Sequence, residues 1–519
     1  MTSPFLRTFR IVFSAIVLVC FLIIFIDLRY KIPSEYINAL IYLQFVPSVL
    51  KFYDLRVMAA GGFIIVLLLT LLTGRTYCSF LCPLGIGQDL FSRIGGRLRK
   101  KFRRFGYKRP HTIIRYSLLA VTLVVTIVWG VYLLTLLDPY SIFGRFTTYF
   151  ARPVVILINN FLANILGKFD NYSLHHINVK GYQLLAYSIP AAFFILVGTL
   201  SMMRGRLYCN MVCPVGTLLG LLSKISVLRV RFEDSKCTRC GRCAIVCKSS
   251  CIDFLRLDID NSRCVECFNC IRTCPDKALS FGVVRIGRKE HKTDESKRKL
   301  IAGALLGIAG IGSIAKAQNN SVPTPKKGTM VREEKTYPVA PPGAGSIEEF
   351  NKHCTACSLC ISVCPNQVLQ PALKEYGLVN MMQPVMNFHK SFCTFNCTRC
   401  TEICPTYALK PLELDAKKLT QIGRVIFIKD NCIVKTDKTA CGACSEACPT
   451  KAVYMVPYEG NLVIPETNES ICIGCGHCEY ACPTTPYKAI YVDGNAVHVA
   501  AERPEIREAE ISAPEEFPF

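Results

Sequence analysis

The sequence predicts a multi-domain fold: an α-helical membrane domain of four spans with a two-fold internal repeat, followed by small α+β domains built around cysteine. Three observations predict it. Long apolar segments crowd the first 205 residues, one stretch recurs at a constant offset of 131, and twenty-four of the thirty cysteines fall into six groups of four. At 519 residues the chain is too long for one domain. A hydrophobic content of 51% and a mean hydropathy of +0.31 are high for a soluble protein. The formal charge is +23. The basic excess lies within residues 1–317, and the rest of the chain is slightly acidic. Basic residues beside apolar spans fit the positive-inside rule and anionic lipid, so nucleic acid is not expected as a partner.

In chain order, apolar segments at about 11–26, 57–73, 116–137 and 182–203 approach the ~20 residues needed to cross hydrocarbon. The stretch 153–167 is shorter and carries Asn159 and Asn160, so it is expected as an interfacial or re-entrant helix. Arg7 and Arg10, the basic run 93–115, and Arg204 with Arg206 fall on one side of a four-span arrangement, the cytoplasmic side. The repeat matches GRTYCSFLCPLGIGQDLFSRI (74–94) with GRLYCNMVCPVGTLLGLLSKI (205–225). Each copy carries C-x3-C-P: Cys78 and Cys82, then Cys209 and Cys213. On a helix each pair would share one face, and the proline would end or kink that helix. The two pairs are expected to form a further metal or redox dithiol site, against packing as the plainer reading. Cys20, alone in an apolar span, reads as packing.

Beyond the membrane segments, four cysteine groups read C-x2-C-x2-C-x3-C: Cys237, Cys240, Cys243 and Cys247; Cys264, Cys267, Cys270 and Cys274; Cys354, Cys357, Cys360 and Cys364; Cys472, Cys475, Cys478 and Cys482. Two are variants: Cys393, Cys397, Cys400 and Cys404 with one extra residue, and Cys432, Cys441, Cys444 and Cys448 with an outlying first member. Five of the six closing cysteines precede proline. This is the bacterial ferredoxin run, in which the fourth cysteine serves the partner cluster, and it points to six [4Fe–4S] clusters carrying single electrons. Structural zinc favours separate C-x2-C pairs, and disulfides give no such repeat. In the first group Lys248 follows Cys247, and Cys251 lies four residues on. Either can be the fourth ligand, and the C-x3-C interval favours Cys247. In a ferredoxin pair Cys237, Cys240 and Cys243 share a cluster with Cys274, and Cys264, Cys267 and Cys270 share one with Cys247.

These features divide the chain into a membrane domain (1–230), a two-cluster ferredoxin domain (231–285), an export-signal-like or fifth membrane segment (286–317), a Pro/Gly/Ser/Lys linker (318–346), a four-cluster ferredoxin-like domain (347–500) with short βαβ-like apolar runs, and an acidic tail (501–519). Segment 286–317 runs from a basic stretch with Lys297-Arg298 through a Gly/Ala-rich core to Ala315-Lys316-Ala317. There is no C-x2-C-H for covalent haem, no G-x-G-x-x-G and no P-loop.

The spans, the paired Y-C-x3-C-P motifs, DPYSIFGR at 138–145 and the first cluster pair resemble the NapH type of membrane ferredoxin, the quinol dehydrogenase component found with periplasmic nitrate reductase. The export-like segment with PPGAGSIEEFNKHCTACSLC and four clusters resembles the exported polyferredoxin of the NapG type. The chain looks like a fusion of the two. The resemblance implies a multi-pass protein of the bacterial inner membrane, with its first cluster pair cytoplasmic and its last four clusters periplasmic. Its partners would be membrane lipid, quinol or a reduced ferredoxin-like donor, and a periplasmic reductase. A quinol site is expected beside the C-x3-C-P motifs, with Arg75, Tyr77, Arg206 and Tyr208 at its polar edge. Likeness to four-cluster electron-transfer subunits implies that the 354 group exchanges its last cysteine with the 472 group, and the 393 group with the 432 group. Two alternatives are an electron-supplying assembly or reactivation factor and a wholly cytoplasmic-facing respiratory subunit.

Overall fold

The structure is a computed structural model that describes residues 3–55, 61–98, 105–128, 130–178, 181, 184–283 and 330–503. The export-like core at 300–315, the first part of the linker and nearly all of the acidic tail lie outside the described residues. The chain forms two compact units: Met1–Lys327 with Lys352–Ser362 and Pro405–Tyr407, and Gly328–Asn351 with Val363–Cys404 and Ala408–Phe519.

The first unit is helical because its apolar runs can meet their own backbone hydrogen bonds only as helices where water is absent. Its longer helices include α1 (Ser3–Ile26), α2 (Pro83–Leu98), α3 (Thr112–Val128) and α4 (Leu184–Arg204), with shorter helices between them. Among the described residues, three helical runs are long and apolar enough to cross a membrane: Phe5–Ile26, Pro139–Gly167 and Leu184–Arg204. The expected spans at 11–26 and 182–203 fall in the first and last of these, whereas the other two expected spans do not reach that length. Of the 57–73 segment, Gly62–Thr73 is a helix of twelve residues. The 116–137 segment is not continuous: α3 ends at Val128, Gly130 has φ +101°, and a separate short helix runs Tyr132–Leu137. The 153–167 stretch, expected to be interfacial, is the end of the 29-residue run Pro139–Gly167. Asp138 starts that run. Its carboxylate accepts from the Ser141 N–H at 2.8 Å, and Pro139 occupies the first turn, where no donor is needed. A π-helical turn at Thr147–Ala151 joins the two halves.

The 228–283 segment belongs to this same compact unit. Its strands β1 (Leu228–Phe232) and β2 (Leu279–Val283) pair antiparallel, with Val230 opposite Phe281. Polar contacts fix it to the helices. Arg7 donates to Asn269 at 3.0 Å, Arg75 to the Ser262 carbonyl at 3.0 Å, and Arg115 to the same carbonyl at 2.8 Å.

In the second unit β3 (Thr420–Phe427) pairs with the long closing strand Ile490–Ala500, Val425 opposite Val492. Val453–Pro457 pairs with Val463–Thr467, and Leu369–Pro371 with Pro384–Met386. All of these ladders are antiparallel, so the expected βαβ-like runs do not form parallel crossover units, and short helices among them carry cysteines. Residues 330–337, placed in the linker by composition, are tied to this unit. Buried Asp493 accepts from the Thr336 and Tyr337 N–H groups at 2.7 and 3.1 Å, and Asn431 accepts from Val331 N–H at 2.8 Å.

Candidate metal centres

Four small recesses are lined by thiols. In the first unit, one holds Cys237, Cys240, Cys243 and Cys274. Another holds Cys264, Cys267 and Cys270 with both Cys247 and Cys251. The expected exchange of fourth cysteines is therefore present, and the choice between Cys247 and Cys251 becomes a five-thiol site. Their sulfurs lie 3.5 Å apart, and both are buried.

The second unit pairs neighbours, which corrects the exchange inferred from the four-cluster likeness. Cys364 lines a recess with Cys393, Cys397 and Cys400. Cys482 lines one with Cys432, Cys441 and Cys444. Cys448 in turn lies within electrostatic reach of Cys472, Cys475 and Cys478. Groups adjacent in sequence close shorter loops, at lower entropic cost, than the outer groups would. Of the remaining cysteines, Cys354, Cys357 and Cys360 fall in the 352–362 segment of the first unit, and the Cys404 sulfur accepts from Leu409 N–H at 3.4 Å. Burial and neighbouring thiols push Cys444 and Cys475 up to about 12. As free thiols they would stay protonated, whereas a coordinated thiol is deprotonated outright. Small loops presenting four sulfurs, with few other polar groups, suit soft, thiolate-bound iron.

The C-x3-C-P motifs build a different site. Cys78 and Cys209 sit on short helices, Tyr77–Phe80 and Leu207–Met211. Cys82 and Cys213 do not share those helices, as the i,i+4 reading expected. Each stands immediately before a new helix, whose first residue is the motif's proline. Its sulfur accepts the N–H of the residue three further on: Gly85 at 3.4 Å and Gly216 at 3.3 Å. The proline thus opens a helix, and the dipole of that helix favours negative charge on the sulfur. Cβ atoms at Gly85 and Gly216 would meet the Cys78 and Cys209 carbonyls at 2.3 Å, which excludes any larger residue at either position.

The two motifs grip each other. Arg75 donates to the Cys209 carbonyl at 3.0 Å, and Arg206 donates to the Cys78 carbonyl. Gln88 donates to the Cys209 sulfur at 3.2 Å, and Arg75 lies 3.8 Å from the Cys78 sulfur. Each of the four sulfurs therefore accepts a hydrogen bond. All four are buried and close enough to act on one another electrostatically. Arg75 and Arg206 are fully buried, Tyr77 bonds Gln44, and Tyr208 donates to the Leu137 carbonyl at 2.8 Å. These four residues build the site's walls, so they do not present the open polar edge expected for a quinol.

Sequence reasoning missed Asp89. Its carboxylate takes Arg10 and Arg206, each at 2.8 Å, and Lys248 at 3.2 Å, all buried. The signal was available: Asp89 is the one acid between Asp54 and Asp138, and it stands at a position where the two repeat copies differ, opposite Gly220. This pairing also explains why Lys248 replaces the usual proline. Its ammonium reaches Asp89, and its carbonyl accepts the Arg206 N–H at 3.0 Å, joining the cluster-pair segment to the helices.

Folded thiol recesses of this kind, in reciprocal pairs, define a ferredoxin-type iron–sulfur electron-transfer protein. Comparison with known proteins agrees. The profile of a 4Fe–4S binding domain matches residues 55–103 and again 185–233, each match containing one C-x3-C-P motif. Two 4Fe–4S dicluster domain profiles match 353–418 and 439–485, divisions that keep neighbouring cysteine groups together. The ferredoxin-type protein NapF of Escherichia coli K12 is 30% identical over 136 residues, 26% of this chain and 74% of that protein. The methylamine utilization ferredoxin-type protein MauM of Methylobacillus flagellatus is 30% identical over 33% of this chain and 70% of its own length. Ferredoxin-type protein NapH of E. coli K12 is 31% identical over 37% of this chain and 53% of that protein. No solved structure matches. The chain belongs to the 4Fe–4S ferredoxin-type proteins that include NapF, NapH and MauM.

Proposed function

We propose that the chain takes electrons from quinol or a reduced cytoplasmic donor at its first unit and delivers them, through its second unit, to a reductase on the periplasmic side of a bacterial inner membrane. A bound [4Fe–4S] cluster supplies reversible one-electron storage at each thiol set. The twenty-four cysteines of the six groups would hold six such clusters. The observation that carries the reading is reciprocity: a fourth cysteine stands in its neighbour's recess in both units, which keeps centres in close pairs. Three apolar helices and likeness to NapH support a membrane setting.

Cys78, Cys82, Cys209 and Cys213 would hold a further metal centre. Arg75, fully buried, has no carboxylate partner among the described residues; its contacts are Asn210, two carbonyls and a sulfur. A buried guanidinium requires compensating negative charge. A thiolate-bound metal supplies that charge permanently, whereas a disulfide in a redox dithiol is neutral.

A reporter fused after Phe519 tests the transmembrane reading: periplasmic signal is expected, and cytoplasmic signal overturns it. Anaerobic quinol oxidation by the purified chain tests the donor. If reduced ferredoxin reduces the clusters and quinol does not, the quinol half of the proposal is wrong.

A further inference from the structure

An open recess in the first unit holds no thiol, although Arg206 and Ser249 on its wall also border the C-x3-C-P site and the five-thiol recess, and no function assigned so far uses it. Its rim carries the exposed Lys108, Arg109 and Arg204 together with His111, and its floor carries the buried Arg115, Arg206 and Arg263. No Asp or Glu lines it among the described residues. Much of the floor's bonding is satisfied. Arg115 serves Ser262, and Arg263 donates to Asp260 and to the Lys108 carbonyl. Yet three residues that line the recess each keep a buried polar atom with no hydrogen-bond partner: Arg206 Nη2, Arg263 Nη2 and Ser249 Oγ. Burying a donor without an acceptor is costly, and burying one on a guanidinium is more so. Unsatisfied donors on residues that line one recess, beside several basic side chains and no acid, are complementary to a ligand with several anionic oxygens.

Position selects among such ligands. The apolar helix α3 begins at Thr112, one residue after His111, and the membrane-length helix α4 ends at Arg204. The rim therefore lies where apolar helices leave hydrocarbon, at headgroup depth. Basic pockets between helices at that depth suit phosphate headgroups. We propose that this recess binds a phosphate group, and that an anionic phospholipid headgroup is its source. The site rests on the membrane setting but not on the direction of electron flow.

Native mass spectrometry of the detergent-purified full chain tests it, with phosphatidylglycerol and phosphatidylcholine added separately. One phosphatidylglycerol should be retained per chain in preference to phosphatidylcholine. Lys108→Gln with Arg109→Gln and Arg204→Gln should weaken that retention about tenfold or more, since basic residues near a lipid surface draw anionic headgroups. Cluster absorbance checks that the variant is folded. Inorganic phosphate, titrated against the wild type, distinguishes the sources and needs no variant. If phosphate displaces the bound phosphatidylglycerol, the lipid occupies the site through its phosphate. If phosphate binds while no lipid is preferred, the site is a free-phosphate site. Equal retention of both lipids with no phosphate binding overturns the proposal.

Discussion

The first unit holds thiols in two ways. In the 237–274 segment three sulfurs come from one tight loop, and the fourth comes from a loop a few tens of residues away. In the C-x3-C-P site the two halves are 131 residues apart, and each is completed by groups from the other: Arg75 on the Cys209 carbonyl, Arg206 on the Cys78 carbonyl, Gln88 on the Cys209 sulfur. The ferredoxin-type site is built from a local motif. The membrane-proximal site exists only after helices distant in sequence have packed, and buried charge rather than a short loop holds it in register. Failure of that packing should therefore abolish the second site while leaving the first able to form.

The largest expected effect is at Asp89. Asp89→Ala leaves Arg10, Arg206 and Lys248 buried around no anion, a change that costs about 3–5 kcal/mol when one side of a buried pair is lost. Thermal unfolding in detergent should show a large loss of stability. An unchanged midpoint would mean that water reaches these cations and that the charge network does not hold the helices.

Arg75→Gln sharpens the comparison at lower cost. It removes the guanidinium charge but keeps a shorter, neutral hydrogen-bonding side chain. Metal at the C-x3-C-P site should fall while the signals of the ferredoxin-type clusters persist. Parallel loss of every cluster would show that the two sites are not built independently.

In the second unit, Cys482→Ala should disturb the cluster of the 432 group, and Cys364→Ala that of the 393 group. Electron paramagnetic resonance of the reduced variants can assign each loss. Loss of the 354-group cluster on removing Cys482 would restore the outer-with-outer exchange. The smallest effect concerns Cys247 and Cys251, which share one recess. Cys247→Ala should remove or alter one cluster, and Cys251→Ala should leave both intact. The opposite result would make Cys251 the ligand, with Cys247 as its neighbour.

Legibility in the sequence follows the same division. The cysteine groups were readable because ligand spacing is set within about a dozen residues, and the crossing of Cys247 and Cys274 followed from that motif. The pairing in the second unit was not, because spacing within a motif carries no information about which other motif lies beside it. The repeat revealed Cys78, Cys82, Cys209 and Cys213 as a set. It did not reveal that each proline opens a helix beneath its cysteine, nor that Arg75 and Tyr77 face inward. Helix length was misread at 116–137, where Gly130 interrupts an otherwise apolar run, and at 153–167, where a capped helix beginning at Pro139 supplies the missing turns. Lys248 appeared as a departure from the Cys-Pro pattern, and its reason lay 159 positions away in Asp89.

Metal analysis of the purified full chain tests the central claim most directly, with iron, acid-labile sulfide and zinc counted per chain in the wild type and in Cys82→Ala with Cys213→Ala. Six ferredoxin-type clusters require about 24 iron atoms. The wild type should reach that number with a further metal increment, and the double variant should lose only the increment. Iron at about 16 atoms or fewer, with zinc making up the remainder, would contradict a chain built throughout for electron transfer.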